Sequence, residues 1–172
     1  MSVSIRYLID SNVLIEAHRR YYGFDLCPGF RESIVWLHGK NRVISLDKVR
    51  DELVRESDAL VTWATSVMPD TGFAVSNEVQ VLDWFGKMQV WAQEQTQFTS
   101  AAKEEFASVA DAWLVAYARA HDLVLVTHEE YRPDVKKRIP IPNVCKAFDV
   151  VHMNTFEMLK ALAVRYHWTS PP

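Results

Sequence analysis

Glycine is scarce in this chain, at 5 of 172 residues. That excludes a glycine-rich phosphate loop, which needs several glycines close together so that backbone amides can approach an anion. Only two cysteines occur, Cys27 and Cys145, far apart and without CxxC spacing. A disulfide framework is therefore not expected, and a reducing compartment fits. The 6 histidines are scattered, with neither HxH nor HExxH, so a zinc site has little support. No apolar run approaches the roughly 20 residues that span a bilayer. The opening MSVSIRYLID lacks the long apolar stretch of a secretory signal. These absences predict a soluble, cytoplasmic protein. A basic excess is missing as well. The formal net charge is −3, so composition alone does not favour nucleic-acid binding, although a local patch can bind while the total stays acidic.

What remains is ordinary globular material, 49% hydrophobic and 24% charged. With no repeat, low-complexity tract or linker, a single domain is expected over residues 1–172. Ile5 to Ile9 reads as a buried strand, RVISL (42–46) as a second and LVLVT (123–127) as the clearest. PGFRESIVWLHGK (28–40) opens with Pro, closes with Gly and reads as a helix. Ser45 or Asp47 is expected to cap a helix through KVRDELVRES, and residues 58–67 look helical. DTGF (70–73) breaks the chain. Asn77 to Gln80 resembles a capping box ahead of a long helix with Val79, Leu82, Phe85, Met88 and Trp91 on its apolar face. A further helix is expected over 99–106, a buried one over SVADAWLVAYARAH (108–121), then a short helix, a last strand and a terminal helix over TFEMLKALAVRY. Strands alternating with helices mean a parallel sheet with helices on both faces.

Four acids stand out by position. Asp10 ends the first strand in RYLIDSNVLIEAH, where it either caps the helix behind it or faces a ligand beyond the strand end. Glu52 borders the buried face set by Leu46, Val49 and Leu53, about 60° from Val49, so it is either a boundary acid paired with Arg55 or Lys48 or a functional one. Asp111 is the only acid between Val109 and Ala118, in a segment that must be buried, so it needs a partner or a metal. It also fits the third helical position of a capping box begun by Ser108. Glu129 follows LVLVT, two residues after the Thr127 hydroxyl, with Glu130 and Asp134 as competitors; for a lone loop acid, solvent exposure is the simpler reading. Taken together, several carboxylates at one sheet rim repel unless a cation joins them, and oxygen-only ligands suit Mg²⁺ or Mn²⁺. That is the chemistry of a metal-dependent nuclease.

YLIDSNVLI, ISLDKVRDEL, VADAWLVAYA and LVLVTHEE, in this order and spacing, resemble the PIN-domain family, the fold of VapC-type toxin ribonucleases. KKRIPIPNVCKAF resembles a less-studied bacterial branch of PIN-like proteins. The resemblance implies a three-layer α/β/α sandwich and cleavage of single-stranded RNA with Mg²⁺ or Mn²⁺. It implies that Asp10, Glu52 and Asp111 are the three core acids and that Glu129 stands where the family usually has Asp, these four being catalytic and metal-binding. Asn12 matches a polar residue near the site, and Asn12 and Thr127 are expected to help bind the cofactor ion. The family commonly dimerises and is often neutralised by a small antitoxin protein, so both partners are implied.

Two rivals stay open. A haloacid-dehalogenase-like phosphatase also begins with an Asp after its first strand, but its second Asp is Asn12 here and its Thr position is Leu14, which removes the general acid. A PIN-like domain can also persist as a binding scaffold without turnover. KKR (136–138) could contact phosphate but reads as a solvated loop face, and Trp63, Trp84, Trp91 and Trp113 are spaced like core or interface residues.

Overall fold

The computed structural model describes residues 5–55, 59–168 and 170. Five strands form one sheet in the order β3-β2-β1-β4-β5, with every pairing parallel. They are β1 (Tyr7–Ile9), β2 (Val43–Leu46), β3 (Phe73–Ala74), β4 (Val124–Val126) and β5 (His152–Met153). Leu8 in β1 pairs with Ile44 on one side and Leu125 on the other. Both faces of a parallel sheet are covered by helices, and β1 and β2 are accordingly buried at every position. Alternation of polar and apolar residues is absent from them for that reason.

The flanking helices among the described residues are α1 (Ser11–Glu16), α2 (Gly29–Gly39), α3 (Asp47–Leu53), α4 (Ala59–Thr62), α5 (Val79–Glu94), α6 (Ser100–Ser108), α7 (Ala110–His121), α8 (Ile141–Ala147) and α9 (Thr155–Ala161). The helix after α1 widens into a π turn at Ala17–Tyr21, and α4 does the same at Trp63–Val67. α7 is the buried helix its sequence announces: Ala112, Leu114, Val115 and Ala116 are wholly enclosed. Each fully buried Leu or Val contributes on the order of 1.5–3 kcal/mol, so this helix anchors the core. It packs on α5, where Trp113 stacks on Phe85 with ring centroids 4.0 Å apart. Asp122, in the left-handed conformation at φ 53°, ends α7 and lets β4 begin two residues later.

Several local expectations are corrected. β3 lies at the end of DTGF, where a strand of two residues carries no readable periodicity. α5 starts at Val79 without a side-chain cap, so the Asn77–Gln80 capping box does not form. Of its expected apolar face Met88 is buried and Phe85 and Trp91 pack partly buried against the core, whereas Val79 and Leu82 are exposed and Val81 and Ala92 are buried in addition. Neither Ser45 nor Asp47 caps α3. The Ser45 hydroxyl donates to the Ile9 carbonyl, and Asp47 accepts from the Lys48 and Ser76 amides. Ile5 is exposed and precedes β1. Glu56, Ser57 and Asp58, the end of one expected helix and the start of the next, lie outside the described residues. Cys27 and Cys145 are free thiols.

The topology decides where a ligand would sit. From β1 the chain builds outward to β2 and β3, then returns across to β4 and β5 on the other side. The reversal lies between β1 and β4, and open parallel sheets bind ligands beyond the carboxyl ends of the strands at such a point. The residues delivered there are Asp10 and Thr127.

Candidate active site

Asp10 occupies the N-cap position of α1 in extended backbone, yet its carboxylate does not cap the helix. Its amide donates to the Val126 carbonyl at 3.1 Å, which fixes it against β4. Its two oxygens face two hydroxyls: Thr127 Oγ1 donates to Oδ2 at 3.0 Å, and Ser11 Oγ lies 3.3 Å from Oδ1. Asp10 is almost fully buried. The capping alternative therefore holds for its position but not for its side chain.

Glu52, near the end of α3, reaches the same group from the β2 side. Ser11 Oγ donates to its Oε2 at 2.7 Å, and the Ala110 amide donates to its Oε1 at 3.3 Å. Ala110 is the first residue of α7, so Glu52 caps that helix from another element. These bonds replace the expected pairing with Arg55 or Lys48. Asp111 follows as the second residue of α7. The capping box expected from Ser108 is absent, since the Ser108 hydroxyl turns back to the Glu105 carbonyl.

On the β4 side, Asn12 donates to Thr127 Oγ1 at 3.2 Å and accepts from the His128 amide at 3.1 Å. The Glu129 amide donates to the same Thr127 oxygen at 3.2 Å. Asn12 and Thr127 thus clamp the loop after β4 onto the start of α1. Glu129 is not the solvent-exposed acid that a loop position suggests. Its side chain is 11% exposed, and its Oε2 accepts from the Ile141 amide at 2.8 Å, capping α8. Glu130 and Asp134, its competitors, are exposed.

Asp10, Asp111 and Glu129 line one cleft of about 980 Å³ beyond the sheet, together with Asn12 and Thr127. Glu52 is not among its lining residues and stands behind Ser11. The acids bear on one another. Burial pushes Asp111 up to about 7, with repulsion from Asp10 and Glu52 adding to it while the Arg138 guanidinium pulls the other way. Burial likewise pushes Asp10 up to about 6, opposed by the Thr127 hydroxyl and reinforced by Glu52. Among the described residues, no group of three or more His, Cys, Asp or Glu is placed to hold a metal ion as the side chains stand. The oxygens are turned instead to hydroxyls, amides and one guanidinium. The donor chemistry nonetheless suits a hard divalent cation. It is all oxygen, burial and then mutual repulsion make Asp10 and Asp111 resist ionisation, and a positive group already sits against Asp111 and Glu129.

Two participants escaped sequence reasoning. Ser11 lies between the oxygens of Asp10 and Glu52, a role that has no sequence signal. Arg138 reads as part of a solvated basic run, yet its guanidinium contacts Glu129 and lies 3.9 Å from Asp111 Oδ2. The signal available was the apolar RIPIP that follows the run, because Ile139 and Ile141 are core residues and draw the loop inward.

Comparison with solved structures identifies the fold. The crystal structure of VapBC2 from Rickettsia felis bound to a DNA fragment from its promoter matches with a TM-score of 0.55 and 13% identity, covering 87% of this chain and 98% of that one. The crystal structure of FitAcB from Neisseria gonorrhoeae matches with a TM-score of 0.52 and 18% identity at the same coverage, 87% and 98%. The fold is thus the three-layer α/β/α PIN-like fold that the sequence motifs resemble. No curated protein matches. The model of the family described as domain of unknown function DUF4411 matches residues 7–166, and the chain belongs to that family.

Proposed function

We propose that this protein is a divalent-metal-dependent endoribonuclease acting on single-stranded RNA, and that it is the toxin of a toxin–antitoxin pair. The observation that carries the reading is the pair Asp10, buried, and Asp111, part-buried, which line one cleft at the switch point and are held well above the usual carboxylate range. Structural acids are normally arranged to keep their charge, whereas this pair sits where ionisation is penalised. A site that awaits a cation has that property.

Asp10, Asp111 and Glu129 would hold the ion, with Glu52 adjacent through Ser11. When bound, Mg²⁺ or Mn²⁺ lowers the pKa of a water and stabilises a leaving oxygen. The chain's own residues do the positioning. Thr127 fixes one oxygen of Asp10, Asn12 holds the loop after β4 against α1, and the Ile141 amide fixes one oxygen of Glu129, leaving the other toward the cleft. The likeness to VapBC2 and to FitAcB supports a partner of the antitoxin kind and, with the family resemblance, a homodimer. Light scattering at high concentration tests the latter, and a monomer there removes it.

The decisive experiment is cleavage of single-stranded RNA before and after thorough chelation. Activity should stop with EDTA and return with Mn²⁺ or Mg²⁺. Undiminished cleavage after chelation would overturn the metal reading. A binding scaffold without turnover is the second reading, favoured by the carboxylate oxygens being bonded within the chain. RNA binding with no turnover at saturating Mn²⁺ would select it.

A further inference from the structure

Arg138 lies in the loop between β4 and α8, and that loop is pinned on both sides of it. Upstream, the Thr99 amide donates to the Lys136 carbonyl at 2.9 Å, and the Gln97 side chain donates to the carbonyls of Pro133 and Val135. Downstream, Ile139 is buried in the core and the Ile141 amide is held by Glu129. The backbone of Arg138 is therefore placed within two residues of an anchor in each direction. Its half-exposed side chain lines the cleft, with the guanidinium against Glu129 Oε1 and 3.9 Å from Asp111 Oδ2.

We propose that Arg138 stands in the cation's place in the metal-free chain and exchanges its carboxylates for an RNA phosphate once a divalent ion takes them. The inference rests on the nuclease reading of the site. The first half follows from oxygen availability. Glu129 Oε2 is committed to the Ile141 amide, so Oε1, the oxygen that Arg138 holds, is the one an ion would need. A guanidinium cannot lose its charge at any ordinary pH, so it must move or find another anion when the ion arrives.

The second half follows from the charge of the cleft. Glu16, Glu130 and Glu157 line it along with the site acids, and Arg20, Arg132 and Arg138 are the arginines on its wall. Arg20 is paired with Glu16, and of the three it is Arg138 that lies against the site acids, where a polyanion needs a positive group. A planar guanidinium offers two parallel N–H groups to two phosphate oxygens. With a side chain 54% exposed, Arg138 loses little packing when it swings from carboxylate to phosphate.

The test titrates Mn²⁺ into the wild-type protein, Arg138→Gln and Arg138→Lys by calorimetry without RNA. KM and kcat on a labelled single-stranded oligonucleotide are then measured at saturating Mn²⁺. Removing the competing guanidinium should tighten Mn²⁺ binding about tenfold in Arg138→Gln, the low end for a hydrogen bond to a charged group. KM should rise by about as much, with kcat less affected. Arg138→Lys keeps the charge but not the fork, so it should fall between the two in both measurements. Mn²⁺ binding unchanged or weaker in Arg138→Gln, or an unchanged KM, would overturn the inference while leaving the nuclease reading intact. Failure of all three proteins to bind Mn²⁺ would overturn the nuclease reading and this inference with it.

Discussion

Replacing Asp111 with Asn should stabilise the metal-free protein while abolishing its activity. In the fold, burial and neighbouring acids hold this carboxyl at about 7, against 3.8 when unfolded. Below pH 4 both states are protonated and the group costs nothing. Between pH 4 and 7 the unfolded chain releases the proton while the folded chain retains it, so stability falls across that window; above pH 7 the full cost is in force. A displacement from 3.8 to about 7 amounts to roughly three pH units, or ~4 kcal/mol at pH 8. At pH 5 only about one unit has accumulated, or ~2 kcal/mol. Asn removes that cost but buries an amide whose partners were chosen for a carboxylate, which costs about 1–3 kcal/mol at either pH. The net gain at pH 8 is then on the order of 1–3 kcal/mol, and the gain should be about 2 kcal/mol smaller at pH 5. Thermal melts in EDTA at both pH values read this out, at roughly 2–4 °C per kcal/mol for a chain of this size. A variant that melts below the wild type at pH 8, with the same gap at pH 5, would show that Asp111 is an ordinary satisfied acid.

Other outcomes follow from the same geometry. Glu129→Gln should be milder than Asp111→Asn toward activity and better rescued by excess Mn²⁺, because Glu129 stands where an Asp is expected and its longer side chain can reach an ion through a water, a contact whose loss typically costs about 10–100-fold; rates across a Mn²⁺ titration decide it, and a dead Glu129→Gln beside an active Asp111→Asn would reverse the ranking of the acids. Thr127→Val removes the donor to Asp10 and the acceptor for Asn12 and the Glu129 amide, so it should destabilise by about 1–3 kcal/mol and raise Asp10 further. Chemical denaturation with carboxyl titration by NMR checks both, and an unmoved Asp10 resonance would show that the hydroxyl does not govern its ionisation.

The long-range order of the fold was legible because it is written in burial. β1, β2 and β4 are apolar runs and α7 is apolar nearly all round, features that survive without any knowledge of neighbours. What could not be read was local and set by tertiary contact. Which residues of α5 are enclosed is set by its neighbours: Phe85 meets Trp113, while Val79 and Leu82, on the same expected stripe, face outward. The caps of α7 and α8 come from Glu52 and Glu129, one 58 residues away from the amide it binds and the other 12. Spacing along a chain cannot announce a cap supplied by another element. The same holds for the candidate site. Asp10 and Asp111 were visible as acids where acids are costly, but Ser11 and Arg138 matter only because the fold brings them to those acids.

The hydroxyls on either side of Asp10 show where the cluster is incomplete. Thr127 has one proton to give and two lone pairs to fill. It gives the proton to Asp10 Oδ2 and accepts from Asn12 and from the Glu129 amide, so it is fully used. Ser11 also has one proton, but two carboxylate oxygens face it: Glu52 Oε2 at 2.7 Å and Asp10 Oδ1 at 3.3 Å. One hydroxyl hydrogen cannot satisfy both, and the shorter contact takes it. Asp10 Oδ1 is left with the longer hydroxyl contact, and the burial of Asp10 is offset by hydroxyls and the Ser11 amide rather than by an opposite charge. Two remedies exist. At low pH a proton on Asp10 turns that oxygen into a donor toward Ser11, consistent with a carboxyl held at about 6. Near neutral pH that proton is lost, and a nearby positive charge can take its place. Arg138 supplies one to Asp111 and Glu129, but among the described residues no ion pair reaches Asp10. The stability lost at this carboxylate above its titration is therefore recoverable by a cation brought to it from outside the described residues.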